Sequence, residues 1–157
     1  MRRIPALLAL AGGIAVLAGC GGGGSSSAKP PVENPGRVMT SVIRHELEGE
    51  RELSYKMLIR EQRKIVPARF YASCSPGPAM LQRDVDVDIL GIHDELFAVP
   101  GLGKTKTKAV DYRMTVHGGG GEPMKLSHTG HLIAQEGHWR WTLSASSFDS
   151  FTKGFCP

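Results

Sequence analysis

Histidines, carboxylates and cysteines are the side chains of this 157-residue chain whose types and spacing could do chemistry. His117, His128, His131 and His138 lie in its last third. A zinc or copper site needs about three imidazole or carboxylate ligands converging on one point. Positions 128 and 131 differ by three, so on a strand they face opposite sides. The four read as histidines at strand ends and turns, and no metal is expected. Asp84, Asp86 and Asp88 share one face of an alternating segment, but no bidentate Glu or turn glycine completes a calcium loop. Lys104, Lys106 and Lys108 follow the next loop, so the aspartates and lysines read as cross-strand charge pairs on a solvated face. The lysines share parity with the apolar Val110 and Tyr112, which calls for a bulge or a strand start near Lys108-Ala109. Ala98-Val99-Pro100-Gly101-Leu102-Gly103-Lys104-Thr105 fits a relaxed phosphate-loop pattern. Such a loop needs a helix starting at its lysine, and Lys104-Thr105-Lys106-Thr107-Lys108 runs into a strand. Pro100, Gly101 and Gly103 read as a hairpin loop.

The aromatic set offers a different chemistry. Phe70, Tyr71, Tyr112, Met114, Trp139 and Trp141 are candidates to line the space between helices and sheet. As a core they stabilise the domain; as a cavity wall they bind an apolar ligand. No Ser-His-Asp or Cys-His set is legible, so no catalytic residue and no cofactor is assigned.

The N-terminus carries its own chemistry. Met1-Arg2-Arg3 is a short positive segment, and Ile4 to Val16 is an apolar stretch. A spanning helix needs roughly 20 apolar residues, so this stretch reads as a secretory signal peptide over residues 1–19. Leu17-Ala18-Gly19-Cys20 follows, and it resembles the lipobox of bacterial lipoproteins. The resemblance implies cleavage before Cys20, acylation of its thiol and a mature N-terminus there. It implies an exported protein held on a membrane by lipid. Two or three acyl chains, at about 0.8 kcal/mol per buried methylene, suffice for durable attachment. Residues 21–37, GGGGSSSAKPPVENPGR, form a Gly/Ser/Pro tether that spreads over roughly 20–25 Å. With Cys20 acylated, Cys74 and Cys156 remain as an even pair in an oxidising compartment. They form either a disulfide, the reading favoured here, or two buried thiols.

The elements that must position these residues occupy 38–157, a single domain. Asn34-Pro35 supplies an N-cap and a first helical residue, and Val38, Met39, Val42, Ile43 and Leu47 recur at helical spacing. Gly49 stops this helix. A second helix begins near residues 50–52 and carries Leu53, Met57, Leu58 and Ile65 inward. Pro67 opens a third, Ala68 to Cys74, presenting Phe70 and Tyr71 and ended by Ser75-Pro76-Gly77-Pro78. The period then becomes two: Asp84 to Ile89, Val110 to Val116, Leu126 to Gln135 and Trp139 to Leu143, with Glu136-Gly137 as a turn. Two to three helices followed by a sheet of about four antiparallel strands make an α+β fold with the helices on one sheet face.

This order of elements resembles the nuclear transport factor 2-like (cystatin-like) superfamily. It runs from a first helix through Ser54-Tyr55-Lys56-Met57-Leu58-Ile59-Arg60 and the Phe70-containing helix. Meandering strands then close on Gly137-His138-Trp139-Arg140-Trp141. The resemblance covers most of residues 38–151 and implies a curved sheet around a conical cavity. Relatives include isomerases and dehydratases as well as lipoproteins with binding or accessory roles, and no catalytic motif transfers residue by residue.

The composition sets the frame. Arg2 and Arg3 leave with the signal peptide, so the processed chain has 17 basic against 15 acidic side chains, a formal charge of +2. So small a charge without a basic stripe speaks against a nucleic-acid partner. The expected partners are the membrane, through the lipid, and an apolar small ligand or an envelope protein. The sequence thus points to a membrane-anchored lipoprotein with a non-enzymatic binding or interaction domain. The alternative is a small-molecule enzyme of isomerase or dehydratase type with a polar residue in the cone.

Overall fold

The computed structural model describes residues 31–74, 84–118 and 122–157. The signal peptide, Cys20, most of the tether and the turn expected at 75–78 lie outside them. Helix α1 (Pro35–Leu47) starts as its sequence dictates: Asn34 Oδ1 accepts from the amides of Gly36 at 2.8 Å and Arg37 at 3.2 Å. Its apolar stripe buries Val38, Met39, Val42 and Ile43. Gly49, at φ 78°, takes the left-handed conformation that ends it. The helix begins inside the stretch read as tether, and the chain touches the domain already at Glu33, whose carbonyl accepts from Trp139 Nε1 at 3.0 Å.

The expected second helix is instead two helices, α2 (Arg51–Met57) and α3 (Arg60–Ile65). Between them Leu58 and Ile59 are extended, and Leu58 pairs in parallel with Trp141. The Ile59 amide donates to the Trp141 carbonyl at 3.0 Å. Packing forces this break. Leu58 and Ile59 are both fully buried, yet in different apolar clusters. Adjacent residues reach opposite sides only in extended chain. Leu53 and Ile65, expected inward, are 40% and 48% exposed as a result. Helix α4 (Ala68–Ser73) follows Pro67 as expected.

The strands are β1 (Asp84–Val99), β2 (Gly103–His117), β3 (Met124–Gln135) and β4 (His138–Trp141). They pair antiparallel in the order β1-β2-β3-β4, an α+β architecture with the main helices before the sheet. Glu136 and Gly137, at φ 54° and 79°, make the tight β3–β4 turn. Strand β1 is much longer than its Asp84–Ile89 alternation indicates, because Leu90 forms a bulge and pairing resumes to Val99. A C-terminal helix α5 (Ala145–Thr152), unanticipated, is capped by Ser144 Oγ accepting from Ser147 N at 3.1 Å.

Two cores result. Val38, Met39 and Ile43 of α1 pack on Val110 and Leu132, on one sheet face. Leu58, Val66, Tyr71, Cys74, Leu143 and Phe151 form the second, among α4, α5 and the end of β4. Trp141 packs against both. At the end of the sheet Ile59 reaches the opposite face and packs on Val99 and Ile133. Cys74 and Cys156 are bonded, with Cα atoms 5.3 Å apart, tying α4 to the tail after α5.

Candidate functional site

Between α1 and the sheet lies a cavity of about 270 Å³. Helix α1 supplies Met39, Val42, Ile43, Glu46 and Leu47; β2 supplies Tyr112 and Met114; Trp141 closes the β4 end. Gly130 makes room for one wall. A Cβ there would lie 2.4 Å from Met39 Cε, so the methionine rests on bare backbone. Three of the six aromatic and methionine candidates therefore line this cavity: Tyr112, Met114 and Trp141. Phe70 and Tyr71 belong to the second core, Phe70 edge-on to Phe151 at 6.0 Å and Tyr71 at 4.9 Å from the same ring. Trp139 lines a separate surface cleft of about 540 Å³ with Val32, Arg37, Met57 and Arg140.

Glu46 is the only carboxylate on the cavity wall among the described residues, and its oxygens are engaged. Oε1 accepts from the hydroxyls of Tyr71 and Ser54, and Oε2 stands 3.0 Å from Arg51 Nη2. Arg51 also donates to the Cys74 carbonyl and lies over the Tyr71 ring at 4.7 Å. Ser54 and Tyr71 are fully buried. Burial, and then the Glu46 charge, push the Tyr71 hydroxyl well above its ordinary pKa, so it stays a donor. Tyr112 is also raised, by burial. Sequence reasoning singled out no member of the Glu46–Arg51–Ser54–Tyr71 cluster except Tyr71. Their spacing carries no motif, and they meet only because α1, α2 and α4 converge.

The histidines do not converge. His117 Nε2 is 2.8 Å from Asp86, and His131 Nε2 is 2.9 Å from Glu95. His138 Nδ1 is 3.3 Å from Glu33, while His128 lies against Tyr112 with ring centroids 5.7 Å apart. His131 also stacks on Phe97 at 3.7 Å, reaching across the small Thr107 and Ala109 of the intervening strand. One cluster was missed: His45 in the last turn of α1, with Glu48 and Glu50 just after it, ligand atoms within 4.8 Å of one another. Both glutamates are exposed, and His45 Nδ1 is held by Glu50 at 2.7 Å.

The expected charge pairing is corrected. Asp86 and Asp88 pair with His117 and Arg113, at 2.8 and 3.2 Å, and not with the lysines. Both strands run the full hairpin length, so residues just after the turn face those just before it. Lys104, Lys106 and Lys108 stand opposite Ala98, Leu96 and Asp94. The bulge also falls elsewhere, at Leu90 of β1, and β2 keeps one register throughout. Lys108 shares a face with Val110 because α1 does not extend over the outer hairpin. Lys104 stands in the first residues of β2, on a strand and not at a helix start, as the rejection of a phosphate loop requires.

Comparison of the chain with protein-family models, with curated proteins and with solved structures finds no match in any of the three.

Proposed function

We propose that this chain is a membrane-anchored exported lipoprotein whose domain holds a small apolar ligand without catalysing its conversion. The observation that carries the binding part is the cavity under α1. It is walled by Met39, Val42, Ile43, Leu47, Met114 and Trp141, with the Tyr112 side chain beside them. At about 270 Å³ it lies just below the common range for ligand pockets, roughly 300–1,000 Å³. It suits a small apolar molecule or the end of an acyl chain. Enzymatic acid–base chemistry needs a group free to reach the proton it moves. Glu46 has both oxygens occupied, which favours binding over catalysis. The anchoring part rests on the Leu17-Ala18-Gly19-Cys20 resemblance. The disulfide between Cys74 and Cys156 fits an oxidising compartment.

A thermal-shift series with short fatty acids and small aromatic hydrocarbons tests the binding reading. A ligand at 100 times its Kd stabilises by about 2.7 kcal/mol, a shift of several degrees. The expected result is such a shift in the wild type and none in Val42→Phe, where the added ring occupies the cavity. Equal behaviour of the two proteins, with or without a shift, contradicts a ligand site in this cavity.

A further inference from the structure

The sheet face that carries α1 continues past the helix into the outer β1–β2 hairpin. Paired residues share a face, so Ile92, Asp94, Leu96 and Ala98 stand with Val110, Lys108, Lys106 and Lys104. Leu96 is 64% exposed and Ile92 is 40% exposed. Lys104 and Lys106 are exposed beside them. The one acid among these residues, Asp94, is bonded to Lys108 at 2.8 Å. A groove of about 530 Å³ extends this surface toward α1, lined by Arg37, Arg44, Ile89 and Ile92 and, among the described residues, by no carboxylate. The opposite face of the same hairpin carries five acids, Asp84, Asp86, Asp88, Glu95 and Asp111, against one arginine, Arg113. The hairpin is therefore electrostatically two-sided, with an excess of cations and the exposed aliphatic side chains together on one side.

The chain enters the domain beside that side. A Cβ on Gly36, in the first turn of α1, would come 3.3 Å from Ile92 Cδ1 and 3.4 Å from Ile89 Cγ2. Eleven residue steps separate Pro31 from Cys20, a reach of at most about 36–40 Å. With Cys20 lipidated, as proposed above, the entry point of the domain stays within that distance of the bilayer, so a weak attraction of the adjoining surface acts at high effective concentration.

We propose that this surface docks on an anionic lipid bilayer. The inference rests on the anchored reading above and extends it from attachment to orientation. Lys104, Lys106, Arg37 and Arg44 meet the lipid phosphates, and Leu96 and Ile92 enter the headgroup boundary. The acidic face then points away from the membrane, and β1 lies at the interface.

The test uses the full processed chain in vesicles of phosphatidylcholine alone, or with about a third phosphatidylglycerol. Intact mass and vesicle flotation report the anchor; lysine acylation by a water-soluble ester reports the surface. Lys125, exposed on the opposite sheet face, is the internal reference. The expected result is flotation with both lipids, and labelling of Lys104 and Lys106 about fivefold below Lys125 on anionic vesicles only. About 0.5 M salt should abolish that protection, because the Debye length then falls well below 10 Å. A floating chain whose three lysines label alike on anionic vesicles overturns the inference and leaves the anchor intact. Equal protection on both lipids overturns it too, since charge would not be the recognised feature. A chain without acyl mass contradicts the anchor. In that case the inference holds if the chain still floats on anionic vesicles and K104E/K106E does not, and falls otherwise.

Discussion

Removing the Tyr71 hydroxyl leaves Glu46 with Ser54 and Arg51 as partners. Tyr71 is fully buried, so Tyr71→Phe forfeits one charge-assisted hydrogen bond without opening a large void. A loss of about 1–2 kcal/mol is expected, read as a fall of roughly 3–8 °C in Tm. The three tyrosines of the chain, Tyr55, Tyr71 and Tyr112, all have raised pKa values, chiefly through burial. In the unfolded chain a tyrosine ionises near 10. The folded state binds the proton more tightly, so the stability this gives is present below about pH 10 and is lost as pH rises further. Absorbance at 295 nm should show little ionisation until the protein unfolds in alkali; a free midpoint near 10 would contradict the burial. Glu61 has the opposite sign. Burial alone would raise it, but hydrogen bonds from Gln135 at 2.6 Å and from Arg60 hold it low. Its contribution is present above about pH 4.3 and is lost as the pH falls through the lowered folded value. Urea midpoints of wild type and Glu61→Gln should therefore differ at pH 7 and converge near pH 3.

At the scale of elements, long-range ties decide what local pattern leaves open. Gln62 is fully buried between α3, the hairpin tip and the chain after β4. Its Nε2 donates to the Pro100 carbonyl at 3.1 Å, and its Oε1 accepts from Leu143 N at 2.8 Å. Gln62→Leu keeps the volume but leaves two backbone groups unpartnered, at about 1–3 kcal/mol each. Chemical denaturation that showed less than about 1 kcal/mol of loss would contradict this clamp. The same ties mark where the sequence was legible. The N-cap at Asn34, the period-two strands and the Glu136-Gly137 turn are local signals, and each stands where its residues place it. The break after Met57 is not local. Leu58 and Ile59 continue a helical apolar pattern, and only Trp141, some eighty residues later, draws them out of it. Helix α5 had a readable start in Ser144 and a readable stripe in Phe148 and Phe151, but its eight residues are too few for periodicity to stand out. The long continuation of β1 was hidden by the Leu90 bulge and the charged His93-Asp94-Glu95 that follow the clean alternation. Of the candidate site, Tyr112, Met114 and Trp141 were found because apolar residues alternating along two strands point to the space between helices and sheet. Glu46 was not, because its partners come from three helices.

At the scale of the molecule, the Cys74–Cys156 bond closes 82 residues of chain, enclosing the whole sheet. The chain-entropy model gives it roughly 4 kcal/mol. Reduction, or Cys156→Ser, should lower stability by about 2–4 kcal/mol and loosen α5 first, seen as early amide exchange at Phe148 and Phe151. The acidic row on β1 also protects its open edge, since two such edges brought together would repel. The proposed function joins a lipid anchor to the disulfide-tied domain and its small apolar cavity, as a membrane-held binding protein. Native mass spectrometry of the full-length protein extracted from its own membranes tests that claim most directly. The account predicts a chain beginning at an acylated Cys20, with an additional small apolar molecule that is absent from Val42→Phe. An unacylated chain, or an acylated one that carries nothing and takes up no added apolar molecule, would contradict it.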